Sequence, residues 1–205
     1  MGTALVSAFE FGILYALMAL GVYLSFRILD FPDLTVDGSF VTGGALAASL
    51  IVSGVHPFYA TLSAIAAGFI AGCFTGILNT KGKINPLLSG ILMMIALYSI
   101  NLRIMGKANV SLLNEDTFFT KVKDFWETIG LSHIIPVKWS ILIVMIIVTL
   151  VVKILVDLFL KTEIGLAIRA TGDNKRMIRS FSANTDWLII LGLGLSNALV
   201  AFSGA

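Results

Sequence analysis

The chain has 205 residues, of which 58% are hydrophobic and only 13% charged, and its mean hydropathy is +0.97. An ordinary soluble domain carries about 25% charged residues, so this chain cannot cover a globule with polar surface. Disorder needs low hydrophobicity and is excluded as well. A net charge of +2, from 14 basic and 12 acidic residues, leaves no footprint for nucleic acid, and an integral membrane protein is what remains.

A bilayer core of about 30 Å takes roughly 20 apolar residues in a helix. The first such run covers residues 5–26 and is interrupted only by Glu10, which is expected to face a bundle interior. Next comes the densest group of acids, Asp30, Asp33 and Asp37, in a stretch that also holds Pro32, Thr35 and Gly38. Proline and glycine break helix, and broken backbone at membrane depth survives only where it is buried in protein or lines a wet cavity. The spacing leaves two readings open, a discontinuous segment lining a pathway or a short solvated loop. A metal-dependent phosphotransferase is not one of them. Its pattern needs Ala-Arg after Asp-Gly, whereas Asp37-Gly38 is followed by Ser39, Phe40, Val41 and Thr42.

Residues 38–55 and 58–78 form the second and third runs. Gly68, Gly72 and Gly76 recur every four residues in the third, a small-residue stripe that lets another helix backbone come close. Cys73 lies among them and is expected to be an inert buried thiol. A fourth run, 87–105, ends near Asn101 and Arg103. The segment 106–138 is too long for a tight turn, and Phe118, Val122, Phe125, Trp126 and Ile129 in it recur at helical spacing. That pattern predicts an amphipathic helix lying at the membrane interface. The fifth run, 139–160, is the most apolar, and its Lys153 and Asp157 stand four apart, close enough to pair. A basic segment, 161–186, follows with apolar residues that a solvated loop does not need, and Gly165 and Gly172 are expected to punctuate two short helical pieces in it. The sixth run is 187–205.

The fold class is therefore all-α, a polytopic bundle of about six spans forming a single transmembrane domain over 1–205. Lys and Arg concentrate in alternate loops, at Arg27, at Lys81 and Lys83, and between Lys161 and Arg179. Those loops are expected in the cytoplasm, with the N-terminus and 106–138 outside. Motifs of soluble enzymes fail: Gly82-Lys83 lacks the glycine a phosphate-binding loop requires, and Gly192-Leu193-Gly194 lacks its third glycine. No cofactor or metal site can be argued.

Three stretches carry a resemblance: T-E-I-G-L-A-I-R-A-T-G-D-N, then S-A-N-T-D-W, then G-L-G-L-S-N-A-L-V-A-F-S-G-A. They resemble permease subunits of ATP-binding-cassette importers in the branched-chain amino acid and ribose permease superfamily. F-P-D-L-T-V-D-G-S-F-V-T-G-G-A is similar to a subgroup assigned to tryptophan and other aromatic amino acids. The resemblance implies a protein of the bacterial inner membrane that is not itself an enzyme. Two permease copies would form the path, separate ATP-binding subunits would dock in the cytoplasm, and an extracytoplasmic lipoprotein would deliver an amino acid or similar small solute. It further implies that Asp30, Asp33, Thr35, Asp37 and Gly38 line the route. Ile164, Gly165, Leu166, Arg169, Gly172, Asp173 and Asn174 would couple to the ATPase. Ala183 departs from the pattern, because relatives often carry glycine there. Such relatives continue with further spans, so a longer permease is expected. An ion-coupled secondary transporter, with Glu10 and the three aspartates as ion sites, is the alternative from another class.

Overall fold

The computed structural model describes residues 2–107, 109–112, 117, 120–121, 137–180 and 184–205. Most of the predicted amphipathic helix at 118–129 lies outside them, as does Ala183. The long elements are α1 (Gly2–Tyr23), which runs on into a π-helical turn at Leu24–Ile28, α2 (Thr35–Val52), α3 (Pro57–Thr80), α4 (Pro86–Met105) and α5 (Val137–Lys161). Two short helices follow, α6 (Glu163–Asp173) and α7 (Lys175–Ser180), and α8 (Thr185–Gly204) closes the chain. Among the described residues, six helices are long and apolar enough to cross a membrane. In hydrocarbon a helix satisfies its own backbone, which is why apolar runs of this length become helices and little else.

The helix starts are written locally. His56 Nδ1 accepts from Phe58 N–H at 3.3 Å and Asn85 Oδ1 from Leu87 N–H at 3.0 Å, each just ahead of a first-turn proline whose missing N–H costs nothing there. Asn184 caps α8 by accepting from Asp186 and Trp187 N–H.

Packing centres on α8, the most buried of the long helices, which runs antiparallel to α3 and also contacts α1 and α2. The glycine stripe faces this seam. A methyl on Gly68 would overlap Ala201, one on Gly72 the Leu193 carbonyl, and one on Gly76 would lie 2.7 Å from Ile190 Cα. Ser196 and Ser203 donate to the Gly21 and Leu14 carbonyls of α1 at 2.7 and 2.6 Å. Lipid tails are as apolar as Leu, so close backbone approach and such hydrogen bonds hold the helices together. α5 is the least buried span and is apolar nearly all round. Its Lys153 and Asp157 bridge at 2.7 Å.

The basic segment differs from the sequence expectation. α6 runs straight through Gly165 and Gly172, and the break falls at Asn174, whose φ of −155° is extended. The two glycines serve close approach instead. A methyl at Gly165 would meet the Phe159 carbonyl, and one at Gly172 the Ile28 carbonyl.

Candidate functional site

The acidic segment 30–38 divides into two structural parts. α1 does not end cleanly: the Leu29 N–H reaches back to Leu24 O at 3.0 Å, the five-residue span of a π turn, and Phe31 N–H bonds Ser25 O at 2.9 Å. Asp30 then takes φ +51°, a left-handed conformation that an aspartate tolerates better than most residues. A strap of residues 29–34 follows, in which Leu29, Phe31 and Asp33 are wholly buried and Asp30 and Pro32 exposed.

α2 begins at Thr35, three residues before the glycine that the sequence suggested as its start. The cause is Asp33, whose Oδ1 accepts from Thr35 N–H at 2.8 Å and so satisfies a first-turn donor. Thr35, Asp37 and Gly38 are therefore helical. The break is confined to the strap.

Asp33 is also the end of a buried polar chain. Asn197, in α8, donates from Nδ2 to Asp33 Oδ2 at 2.7 Å and accepts at Oδ1 from Ser39 Oγ at 2.6 Å. The Thr35 and Thr75 hydroxyls share a hydrogen bond of 2.9 Å. Gly38 O accepts from Thr42 Oγ1 at 2.8 Å and from Asn101 Nδ2 at 3.4 Å. All seven side chains in this chain of contacts are at most 3% exposed. Buried polar groups left unpaired are costly, so a network of this kind specifies one arrangement of α2, α3, α4 and α8. Asn197, Ser39, Thr75 and Asn101 were not among the pathway candidates, and Asn101 stood out only as a polar residue near the end of its run. Asn197 carried a usable signal, an amide inside an apolar span, but it stands in a run of glycines and leucines that reads first as packing.

The five pathway candidates are thus not equivalent. Asp33, Thr35 and Gly38 are buried in the frame, with Leu97 packed where a Gly38 side chain would go. Asp30 and Asp37 are exposed. Glu10 is half-buried on α1, well away from the strap in sequence and on the far part of its helix.

The depth of the network follows from helix rise. Thr75 is about 7 Å from the Thr80 end of α3 and Asn197 about 18 Å from the Thr185 end of α8, at 1.5 Å per residue. Those ends lie on the same side of the bundle, since Gly76 meets Ile190 and Gly72 meets Leu193. The first turn of α2 therefore lies inward of the ends of α3 and α8.

α6 sits at that same end. Thr162 Oγ1 accepts from Gly165 N–H at 3.2 Å and starts the helix. Its inner face, Gly165, Ile168 and Thr171, is buried against the bundle, while Ile164, Leu166, Arg169, Asp173 and Asn174 are exposed. Ile168 and Leu29 both pack against Gly192 of α8, and Gly172 abuts Ile28, so α6 touches the π turn and the start of the strap. Arg179 of α7 ties this region to α8 through Thr185 Oγ1 at 2.9 Å and Asp186 at 3.2 Å.

An apolar cleft of about 520 Å³ lies elsewhere, between α1, α3, α5 and the end of α8. Ile13, Leu17, Phe58, Ile65, Met145 and Phe202 line it, and no charged residue does. Its polar side chains are three hydroxyls: Thr61 and Ser203 donate to the Pro57 and Leu14 carbonyls, and Thr149 Oγ1 has no partner among the described residues.

Residues 4–205 match the family described as the permease component of branched-chain amino acid transport systems. The chain is 43% identical over 203 residues to the tyrosine transport system permease protein of Clostridioides difficile (strain R20291), covering 99% of this chain and 63% of that protein. It is 34% identical over 201 residues to an uncharacterized protein of Rickettsia prowazekii (strain Madrid E), covering 98% of this chain and 66% of that one. To the ribose import permease protein of Escherichia coli (strain K12) it is 27% identical over 189 residues, covering 92% and 56%. The chain thus spans less than two thirds of the length of each of these relatives. No solved structure matches it.

Proposed function

The chain belongs to the family of branched-chain amino acid transport permease components, and from that premise we propose that it is the membrane subunit of an ATP-binding-cassette importer for an amino acid. The observation that carries this is the match over residues 4–205, nearly the whole chain, together with the likeness to a tyrosine permease across 99% of it. Sugar permeases are among the relatives too, at lower identity, so the amino acid assignment rests on the tyrosine permease.

In this reading the permease works in the bacterial inner membrane as a pair. A lipoprotein delivers solute from outside, and ATP-binding subunits sit on the cytoplasmic side. The basic segment from Lys161 to Arg179 marks that side by the excess of Lys and Arg. The outward faces of α6 and α7 suit a docking partner: Ile164 and Leu166 of α6 and Met177 of α7 are 43%, 54% and 50% exposed beside Arg169 and Arg176, at the end of a bundle rather than along its lipid face. Closure of the ATPase pair would move α6. Because Gly172 abuts Ile28 and Asp33 is tied to Asn197, that motion would bear on the strap and the start of α2. Alternating access would follow as the two permease copies rock against each other.

An affinity-tagged permease, extracted in mild detergent from its own host, tests this reading. A nucleotide-binding subunit is expected to co-purify, and its loss is expected when Ile164 and Leu166 are both changed to Asp. Purification of a chain that moves solute with no ATPase attached would overturn the importer and favour the ion-coupled alternative.

A further inference from the structure

Asp37 is an exposed carboxylate on the first turn of α2, while Thr35, Val36, Gly38 and Ser39 around it are buried. Its depth is bracketed: Thr35 is tied to Thr75, about 7 Å in from one end of α3, and Ser39 to Asn197, about 18 Å in from the matching end of α8. A carboxylate at that level faces hydrocarbon only at a heavy cost, so such charges face protein or water. Glu10, half-buried on α1, is likewise without an ion-pair partner among the described residues, whereas most other charges of the spans have their own outlets. Lys153 and Asp157 neutralise each other, and Arg27 and Arg103 stand in the last turns of their helices, where long side chains reach the interface. Among the described residues no cation bridges Asp37. On the same stripe of α2, one turn on, Val41 is 48% exposed; at the next turn Gly44 meets the Gly204 carbonyl of α8, and Ala48 beyond it is partly buried.

We propose that this stripe of α2 lines a water-filled solute path, and that the Asp37 carboxylate attracts the ammonium group of an amino acid or other amine as it passes. The proposal rests on the permease reading above and narrows it to one residue and one substrate class. Charge complementarity carries the choice of occupant. A single carboxylate lacks the six or more oxygen ligands of a calcium site. Its field is enough to favour a passing ammonium, and a weak attraction lets the solute leave again, which conduction requires.

Cys73 is the single cysteine of the chain, so Cys73→Ala gives a thiol-free background in one step. Into it go Val41→Cys, one turn from Asp37, and Ala48→Cys as a second position on the stripe. Leu150→Cys on the apolar α5 and Lys175→Cys on the exposed end serve as unreactive and reactive controls. The intact permease in membrane vesicles of both orientations is treated with a cationic and an anionic methanethiosulfonate of similar size. The expected result is labelling of the Val41→Cys variant from at least one side, several-fold faster with the cationic reagent, and loss of that preference when Asp37→Asn is added. Absence of labelling at both stripe positions while Lys175→Cys reacts would show the stripe covered by lipid or protein and overturn the path. Equal rates for the two reagents, unchanged by Asp37→Asn, would overturn the ammonium assignment. Neither result depends on an ATPase subunit, so failure here is distinguishable from failure of the importer reading, which co-purification decides.

Discussion

Asn197 holds Asp33 with its amide nitrogen and Ser39 with its amide oxygen, and so fixes both the strap and the first turn of α2 against α8. Changing it to Ala leaves a buried carboxylate oxygen and a buried hydroxyl without those partners, at a cost of about 1–3 kcal/mol. Asn197→Asp should cost more, because it sets a second carboxylate beside the first. The check is the midpoint of thermal unfolding in detergent at a fixed scan rate, with Asp30→Asn as the contrast. Asp30 is exposed and outside the network, and its change should stay within about 0.5 kcal/mol of the parent. The sequence made the three aspartates conspicuous because charge is scarce in this chain. It did not show that they play different parts. That distinction depends on where α2 begins, and a shift of three residues moves Thr35 and Asp37 from a broken segment onto a helix with a buried side and an exposed one.

Single elements were legible where the signal is periodic and obscure where it is tertiary. The stripe of Gly68, Gly72 and Gly76 is visible at a spacing of four, and the structure sets it against α8. Gly72→Val would drive a side chain into the Leu193 backbone and should destabilise the bundle by about 1–3 kcal/mol, the usual cost of overpacking. Gly12→Ala, with nothing within 4 Å of the new methyl, should stay within about 1 kcal/mol of the parent in the same assay. The π turn at Leu24–Ile28 had no such signature; it lies where α1 packs against α6 and α8. The break of the basic segment at Asn174 is written locally, since Asn174 Oδ1 accepts from Arg176 and Met177 N–H and caps α7. Gly172 shows the difference most directly. It was expected to interrupt a helix, and it lies inside one because only a hydrogen leaves room for Ile28. Gly172→Val should therefore displace α6 from the π turn. In the assembled transporter the expected outcome is loss of uptake with ATP hydrolysis retained, measured on the same preparation.

The number and order of membrane-crossing helices could be read from hydropathy because a bilayer core imposes one length and one way of satisfying the backbone. What each surface meets could not, since apolar residues facing lipid and those facing another subunit look alike in sequence. Exposure on the folded chain separates some of them. α5 is apolar and open along most of its length, as expected for a lipid-facing helix, whereas α6 presents apolar side chains beyond the spans and α2 presents Asp37 within one. In the proposed function the strap of residues 29–34 joins these two surfaces into one transport device driven from outside the chain. Uptake by the purified complex in proteoliposomes tests that claim most directly, with radiolabelled L-tyrosine and ribose as the solutes offered together with a solute-binding protein. Accumulation of the amino acid that requires ATP on the side of α6 and stops with a non-hydrolysable analogue is the predicted result. Uptake that proceeds on a proton or sodium gradient without ATP would contradict it.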